Sequence, residues 1–313
     1  MELYMRLSIV IPCFNVASTI ATQLDALARQ SWSHPWEVIV ADNGSIDGTV
    51  LIAERYKKRL PRLRIVDASA RRGAAHARNV GAGAAVGEAL LFCDADDEAA
   101  PGWIEAMGRA LTQYDFVAGR LDTQRLNADL PLGLSRSPQD KHLQEYRYPA
   151  FLPHAASANL GVKRWIHDAV GGFDETLLKL QDTDYCWKVQ LMGTKLHFVP
   201  EACVYYRLRS TPIESYKQAR LWGEYNVLLY KRYRPLGMPK LHWYCSAKTW
   251  ARMMLHLPYR LARQETRRRA LRDLAWHIGR LQGSLKYRVI ALSWSCAFSA
   301  GTATEALELT WPF

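Results

Sequence analysis

The chain has 313 residues, 49% of them hydrophobic and 23% charged, with a formal net charge of +11. That length can bury one large α/β domain with an appendage, and the composition is that of an ordinary globular protein. The six cysteines, at 13, 93, 186, 203, 245 and 296, show no C-x-x-C or metal-ligand spacing. They read as small buried hydrophobes of a reducing compartment, not as a metal centre.

The charge is unevenly distributed. Residues 1–213 carry 24 Lys/Arg against 24 Asp/Glu, whereas residues 214–313 carry 17 against 6. The expected organisation is a neutral sheet domain over 1–213 followed by a basic region over 214–313 that meets something anionic. No basic and apolar leader opens the sequence, and the longest uncharged stretch, 289–304, is short of the roughly 20 residues that span a bilayer. The expected location is the cytoplasm, or peripherally the inner face of the cell membrane.

Leu7-Ser8-Ile9-Val10-Ile11-Pro12 is rich in β-branched residues and predicts a first buried parallel strand ended by Pro12. Helical spacing follows over 15–29, with Ile20, Leu24 and Leu27 on one face and Ser18 or Thr19 as N-cap. A strand over 37–41 runs into Asp42-Asn43-Gly44-Ser45-Ile46-Asp47-Gly48-Thr49, where two glycines permit close backbone approach and Asp47 fixes a turn. A helix over 49–56, a strand over 63–68 and an alanine-rich helix ending at Val86 come next. Strands alternating with helices at this interval predict a doubly wound, mostly parallel sheet.

The run Leu90-Leu91-Phe92-Cys93-Asp94-Ala95-Asp96-Asp97 then ends an apolar strand in three carboxylates. Such acids must emerge at the strand's C-terminal end. Parallel α/β sheets bind ligands there, so Asp42 and Asp94 are expected at one edge. Clustered carboxylate oxygens suit Mg²⁺ or Mn²⁺, with phosphate oxygens completing the shell. The competing role for Asp96 and Asp97 is to cap a helix beginning near Pro101. Neither G-x-G-x-x-G nor G-x-x-x-x-G-K-[ST] is present, which argues against a dehydrogenase or a P-loop phosphotransferase.

Six blocks now resemble, in order and spacing, the family 2 glycosyltransferases of the GT-A fold. They are Pro12-Cys13-Phe14-Asn15, the segment from Glu37 to Thr49, Ala77-Arg78-Asn79 with Gly81, Asp94-Ala95-Asp96-Asp97, Gly171-Gly172-Phe173-Asp174-Glu175, and Asp182-Thr183-Asp184-Tyr185-Cys186-Trp187. The resemblance covers residues 6–210. It implies a Rossmann-like, mostly parallel sheet with flanking helices, and a nucleotide-sugar donor, expected to be a UDP-sugar. By the same resemblance Pro12 and Asn15 belong to the donor site, Asp42 bonds the donor base, and Arg78 lies in the segment that closes over it. Asp94 and Asp96 match a D-x-D pair whose first acid faces the ribose and whose second ligates Mg²⁺ or Mn²⁺. Asp182 matches the general base of an inverting transfer to a glycan or lipid-linked saccharide. On the residues alone, Asp182 or Asp184 could equally cap the helix over 185–192.

Three departures stand out. Gln181 replaces a common Glu, which removes like-charge repulsion and should make Asp182 easier to ionise and a weaker base. Lys188 replaces an Arg, losing bidentate geometry. Tyr206 stands where many relatives carry a His that reaches the diphosphate or metal. Residues 119–150, with Pro131, Pro138 and Pro149, read as an acceptor-side loop, disordered or partly ordered without substrate, and 154–159 as lining of the acceptor pocket.

From Glu214 onward the pattern is helical and amphipathic, with Trp222, Tyr225, Leu229 and Tyr233 on one face. Arg267-Arg268-Arg269 with Arg272 is the densest positive patch. This predicts an interfacial helical region on an anionic membrane surface, where a lipid-linked acceptor would present its sugar. The alternative is that these helices pack on the sheet domain and the arginines form a solvated face. Nucleic acid is not an expected partner, since no nucleic-acid module is recognisable and the sheet domain is neutral. Two rival functions are a sugar nucleotidyltransferase, whose Gly-rich basic loop is missing after the first strand, and a non-catalytic homologue that binds sugar nucleotide or membrane.

Overall fold

The computed structural model describes residues 5–60, 62–128, 137, 139–146, 148–209, 211–241 and 243–289, the side chains of 243–247 and 265 excepted. The described chain forms two compact units: the first takes in 5–128, 137–144 and 153–208, and the second 145–152 and 209–289.

The first unit is built on an eight-stranded sheet of order β3-β2-β1-β4-β7-β6-β8-β5. Its parallel half comprises β1 (Leu7–Cys13), β2 (Trp36–Asp42), β3 (Arg64–Asp67) and β4 (Ala89–Cys93). The strands β1, β2 and β4 are apolar almost throughout because both faces are covered, whereas β3, at the sheet edge, is half-buried to exposed. Leu7, Ile9, Ile11, Val38, Val40 and Leu91 pack on one face with α1 (Ile20–Ala28) and α4 (Trp103–Gln113). Val10, Ile39, Leu90 and Phe92 pack on the other with α3 (Ala74–Ala84), α5 (Arg164–Ala169) and α6 (Gln181–Leu191). The helix α2 (Thr49–Glu54) joins β2 to β3.

The second half of the sheet is mixed rather than parallel. The strand β7 (Asn159–Lys163) runs antiparallel to both β4 and β6 (Phe116–Asp122), β8 (His197–Tyr205) is parallel to β6, and β5 (Glu98–Ala99) is antiparallel to β8. Pro12 does not end β1, which continues to Cys13 opposite Asp42. Thr19 occupies the N-cap position of α1 without a side-chain cap, its hydroxyl being turned to the Val16 carbonyl instead.

Part of the expected acceptor-side segment is regular structure: β6 runs to Asp122, and a 3-10 turn covers Arg125–Asn127. The described parts of 119–150 in this unit are tied down by buried amides: Gln139 donates to the Gly119 carbonyl at 2.8 Å and accepts from Gln144 and the Ala156 N–H, at 2.9 and 2.8 Å. Residues 129–136 and 138 lie outside the described residues. Asn159 is fully buried, accepting from the Trp103 indole and donating to the Arg120 and Ala202 carbonyls, and His154 is buried too. A buried amide must satisfy its polar atoms, and Asn159 does so here.

The second unit contains α7 (Pro212–Tyr233), α8 (Trp243–Ala262) and α9 (Gln264–Lys286). The Thr211 side chain accepts from the Glu214 N–H and Pro212 opens α7, which gives a capped start. A Cβ on Gly223 would lie 2.0 Å from the Trp276 carbonyl oxygen, and one on Gly279 would lie 1.8 Å from that of Arg220. The two backbones of α7 and α9 therefore touch along a glycine seam. Of the expected positive patch, Arg268 is half-buried and donates to the Arg209 carbonyl, and Arg267 donates to the Leu261 carbonyl. Arg280 is buried against the Trp276 ring, 4.3 Å from its centroid. Part of the excess positive charge is thus spent inside the unit. Residues 290–313, which include nearly all of the uncharged stretch 289–304, lie outside the described residues.

Candidate active site

The C-terminal ends of β1, β2 and β4 lie side by side, and their loops are laced together. Asn15 takes a left-handed conformation, φ 50°, which Asn tolerates better than most residues. Its side-chain Oδ1 accepts from the Ile46 N–H at 2.9 Å, and its backbone N–H donates to Ser45 Oγ at 3.0 Å. Asp47 accepts from the Ala17 and Thr49 N–H groups and the Thr49 hydroxyl, so it is a turn-fixing residue as expected. Asp42 ends β2 and accepts from the N–H groups of Gly44 and Ser45 at 3.2 and 3.1 Å. Pro12 lies opposite Ala41 in the register. Asn43 joins this loop to the next, donating to the Ala68 and Arg71 carbonyls and accepting from Gly73 N–H.

Asp94, Asp96 and Asp97 follow β4, and each presents an oxygen within 4.8 Å of the others. They are not equivalent. Asp94 and Asp96 are half-buried, whereas Asp97 is fully buried. Asp97 Oδ1 accepts from the Arg207 N–H at 2.8 Å, and its Oδ2 has no hydrogen-bond partner. Burial, then Asp94 and Asp96, push this carboxyl well above its ordinary range. Asp97 is not a cap for α4, whose N-cap is Gly102. A set of three carboxylates with one buried orphan oxygen is a hard oxygen donor set, and it fits Mg²⁺ or Mn²⁺.

Arg78 is buried in α3, and its Nη2 donates to Asp94 Oδ1 at 2.6 Å. Its Nε and Nη1 are buried without a partner, and its guanidinium lies 5.6 Å from the centroid of Phe173. Phe173 belongs to the Gly171-Gly172 turn, which Asn79 clasps by accepting from Phe173 N–H and donating to Phe173 C=O, both at 2.9 Å. Gly172 sits at φ 70° with its missing Cβ 2.6 Å from Asn79 Oδ1, so only glycine fits. Lys188 donates to the Gly172 carbonyl at 2.9 Å. Glu175 accepts from Asn79 and pairs with His76 at 2.9 and 3.0 Å, which closes the clasp.

Asp182 lies in the first turn of α6 and accepts from the Thr183 N–H at 2.8 Å. Burial raises its carboxyl above the ordinary value; the Arg78 charge opposes the rise and Asp94 adds to it. Burial therefore outweighs the ease of ionisation expected from Gln181. The buried thiol of Cys13, at the end of β1, is pushed up by burial and then by Asp42, Cys93, Asp94 and Asp96. The charges of Asp42, Asp94 and Asp96 thus all act on Cys13, and those of Arg78 and Asp94 act on Asp182.

The family model described as Glycosyl transferase family 2 matches residues 8–168. The chain belongs to that family. It is 35% identical over 124 residues to the uncharacterized glycosyltransferase YibD of Escherichia coli, a match that covers 40% of this chain and 34% of that protein. The chain therefore matches only about a third of this relative's length. Among solved structures, the mannosyltransferase PcManGT of Pyrobaculum calidifontis, in complex with GDP-Man and Mn²⁺, superposes with a TM-score of 0.59 at 20% identity, covering 90% of this chain and 88% of that one. Staphylococcus aureus TarS in complex with UDP-GlcNAc does so at 0.53 and 18%, covering 91% and 90%. The chain has the GT-A fold.

Several residues at the rim had no individual role expected of them: Asn43, Asn79, Glu175 and Arg207. Asn43, Asn79 and Glu175 lie inside recognised motifs, which could have flagged them. Arg207 carries no local sign, since its bond to Asp97 joins positions 110 residues apart.

Proposed function

We propose that the enzyme is a metal-dependent, inverting glycosyltransferase. It moves a sugar from a nucleotide diphosphate, with UDP as the expected nucleotide, to a hydroxyl of a glycan or lipid-linked saccharide. One observation supports this reading: Phe173, 5.6 Å from the Arg78 guanidinium that bonds Asp94, stacks at 4.2 Å on Tyr185, which follows Asp182 by three residues in α6.

In this reading Pro12, Asn15 and Asp42 form the base pocket, Asp42 being oriented by two backbone N–H groups. Arg78 holds Asp94 toward the ribose. Asp96, with Asp94 and Asp97 beside it, would hold Mg²⁺ or Mn²⁺, which neutralises charge on the leaving diphosphate. Asp182 accepts the acceptor hydroxyl's proton as that oxygen attacks the anomeric carbon opposite the diphosphate. The bond to the diphosphate breaks as the new glycosidic bond forms, and configuration inverts. The UDP-GlcNAc bound by TarS supports a UDP-sugar, and the GDP-Man bound by PcManGT supports the wider class.

An anionic membrane surface as partner of the second unit belongs to the same reading. No described helix is long and apolar enough to cross a membrane. The helix α8 exposes Met254, Leu255 and Tyr259, with Lys248, Arg252 and Arg263 also exposed. That is the make-up of an interfacial helix.

The test of the function is Asp182→Asn. Loss of transfer with donor binding kept is the expected result, and unchanged transfer would refute the assignment.

A further inference from the structure

The helices α7 and α9 run parallel. Ser215 meets Arg268, Gly223 the Trp276 carbonyl, Glu224 the backbone of Gly283 and Lys231 the Tyr287 carbonyl, so position rises together along both. Their N-terminal ends therefore lie at one end of the second unit. The unsatisfied N–H groups there carry the positive ends of two helix dipoles, which favour anions and disfavour cations. The sequence nonetheless puts six arginines and only two acids, Glu265 and Asp273, into residues 260–273.

These arginines are gathered rather than spread. Arg268 donates through Nη2 to the Arg209 carbonyl at 3.1 Å and lies 3.4 Å from Ser215 Oγ, which brings it to the start of α7. Arg269 and Arg272 are half-buried, and the Nε of Arg269 is buried with no hydrogen-bond partner. Burial lowers the Arg272 guanidinium; Asp273 opposes the fall, and the charges of Arg269 and Arg268 add to it. Asp273 bonds Arg260 at 2.6 Å and also feels Arg272 and Arg269. Three guanidinium groups thus share one carboxylate, and Arg268 brings a fourth positive charge. Exposed apolar side chains adjoin the cluster: Tyr259 is 58% exposed with the Arg263 guanidinium 4.3 Å from its ring centroid, and Leu255, one turn earlier in α8, is 76% exposed.

We propose that the arginine cluster of Arg268, Arg269 and Arg272 binds the terminal phosphate of a membrane lipid, a phosphomonoester or diphosphate in preference to a phosphodiester. A terminal phosphate carries about 1.5 to 2 negative charges at pH 7 and three strong acceptor oxygens. Converging guanidinium groups match that set, whereas a phosphodiester offers less charge and fewer oxygens. The apolar residues beside the cluster favour a lipid-borne phosphate over a soluble one, since they would meet the acyl boundary where the arginines meet the headgroup. This rests on the membrane reading above and deepens it, from attraction to an anionic surface to recognition of one class of headgroup.

The test is flotation of the full chain, in EDTA, with phosphatidylcholine vesicles that contain either phosphatidic acid or phosphatidylglycerol, the two matched for surface charge. The wild-type chain is expected to bind the phosphatidic acid vesicles about tenfold more tightly, the scale of an added charge-assisted hydrogen bond. Arg269→Gln combined with Arg272→Gln should abolish that preference. Lys248→Gln combined with Arg252→Gln removes as much charge from α8, and should weaken binding to both vesicles while keeping the ratio. Melting curves verify that the variants fold. Should the first pair not fold, Arg269→Lys, which keeps charge but loses the planar fork, should lower the ratio, and an unchanged ratio would overturn the proposal. Equal wild-type affinity for the two vesicles, or a preference that survives the Arg269 and Arg272 changes, would overturn it and leave the membrane reading standing. Calorimetric binding of inorganic pyrophosphate that is lost in the same variant, with no preference between vesicles, would assign the cluster to a soluble anion and overturn it as well. No binding to either vesicle would refute the membrane reading, and this inference with it.

Discussion

Arg78 reaches Asp94 across 2.6 Å from the middle of a buried helix, while two more of its nitrogens are buried without a partner. A guanidinium so placed needs its acid. It also keeps two buried donors, Nε and Nη1, unused.

Replacing it is expected to affect both stability and donor binding. Arg78→Ala leaves Asp94 without its cation and should destabilise the first unit by about 2–4 kcal/mol, the scale of breaking one partner of a buried pair. Arg78→Lys keeps the charge but not the geometry, and should retain more stability while still weakening nucleotide binding. Chemical denaturation with and without UDP separates the two effects.

For Asp182 the expected separation is the reverse. Asp182→Asn should lower transfer by about 10²–10⁴-fold, the range for loss of general-base catalysis. Because burial raises this carboxyl in the folded state, its ionised form is a cost to folding above that raised value. The isosteric amide removes that cost, so the melting temperature at pH 7 should not fall. A clear drop would show that the carboxylate is structural.

The same shift has a pH consequence. A base works only when ionised, so the acid limb of the wild-type rate should fall at a pH above the ordinary carboxylate value. Removing the Arg78 charge, which opposes the shift, should move the limb higher still. Initial rates of Arg78→Lys and Arg78→Ala against pH, at saturating donor, measure this directly.

Chelation should abolish turnover, and Asp96→Ala should not be rescued by added Mn²⁺. Full activity of the wild-type chain in excess EDTA would remove the metal from the mechanism.

Two glycines test the packing of the second unit. Gly223→Ala and Gly279→Ala each drive a methyl into a facing carbonyl and should cost at least about 1–3 kcal/mol as overpacking. Gly83→Ala, in α3 with nothing within 4 Å of the added methyl, should be neutral or stabilising. Thermal melts of the three variants side by side decide it.

The parallel strands β1, β2 and β4 could be read from the sequence because they are buried on both faces, which leaves near-continuous apolar runs with acids only at their ends. Runs of that kind declare both the strand and its polar terminus. The mixed half of the sheet was less legible: β7 opens with an asparagine that looks like a surface residue until Trp103, Arg120 and Ala202 are brought around it. The pinning of 139–144 was hidden for the same reason, since a buried glutamine and an exposed one read alike.

What the sequence determined by itself was the family, the strand ends and the presence of three neighbouring acids after β4. Only the tertiary structure decided which of those acids is interior. Asp96 and Asp97 are chemically identical neighbours, and their difference comes from Arg207, which lies far along the chain and whose backbone N–H makes burial of Asp97 tolerable. Local pattern records what one segment can bury; the partner that satisfies a buried charge arrives from elsewhere and is fixed only when the sheet closes.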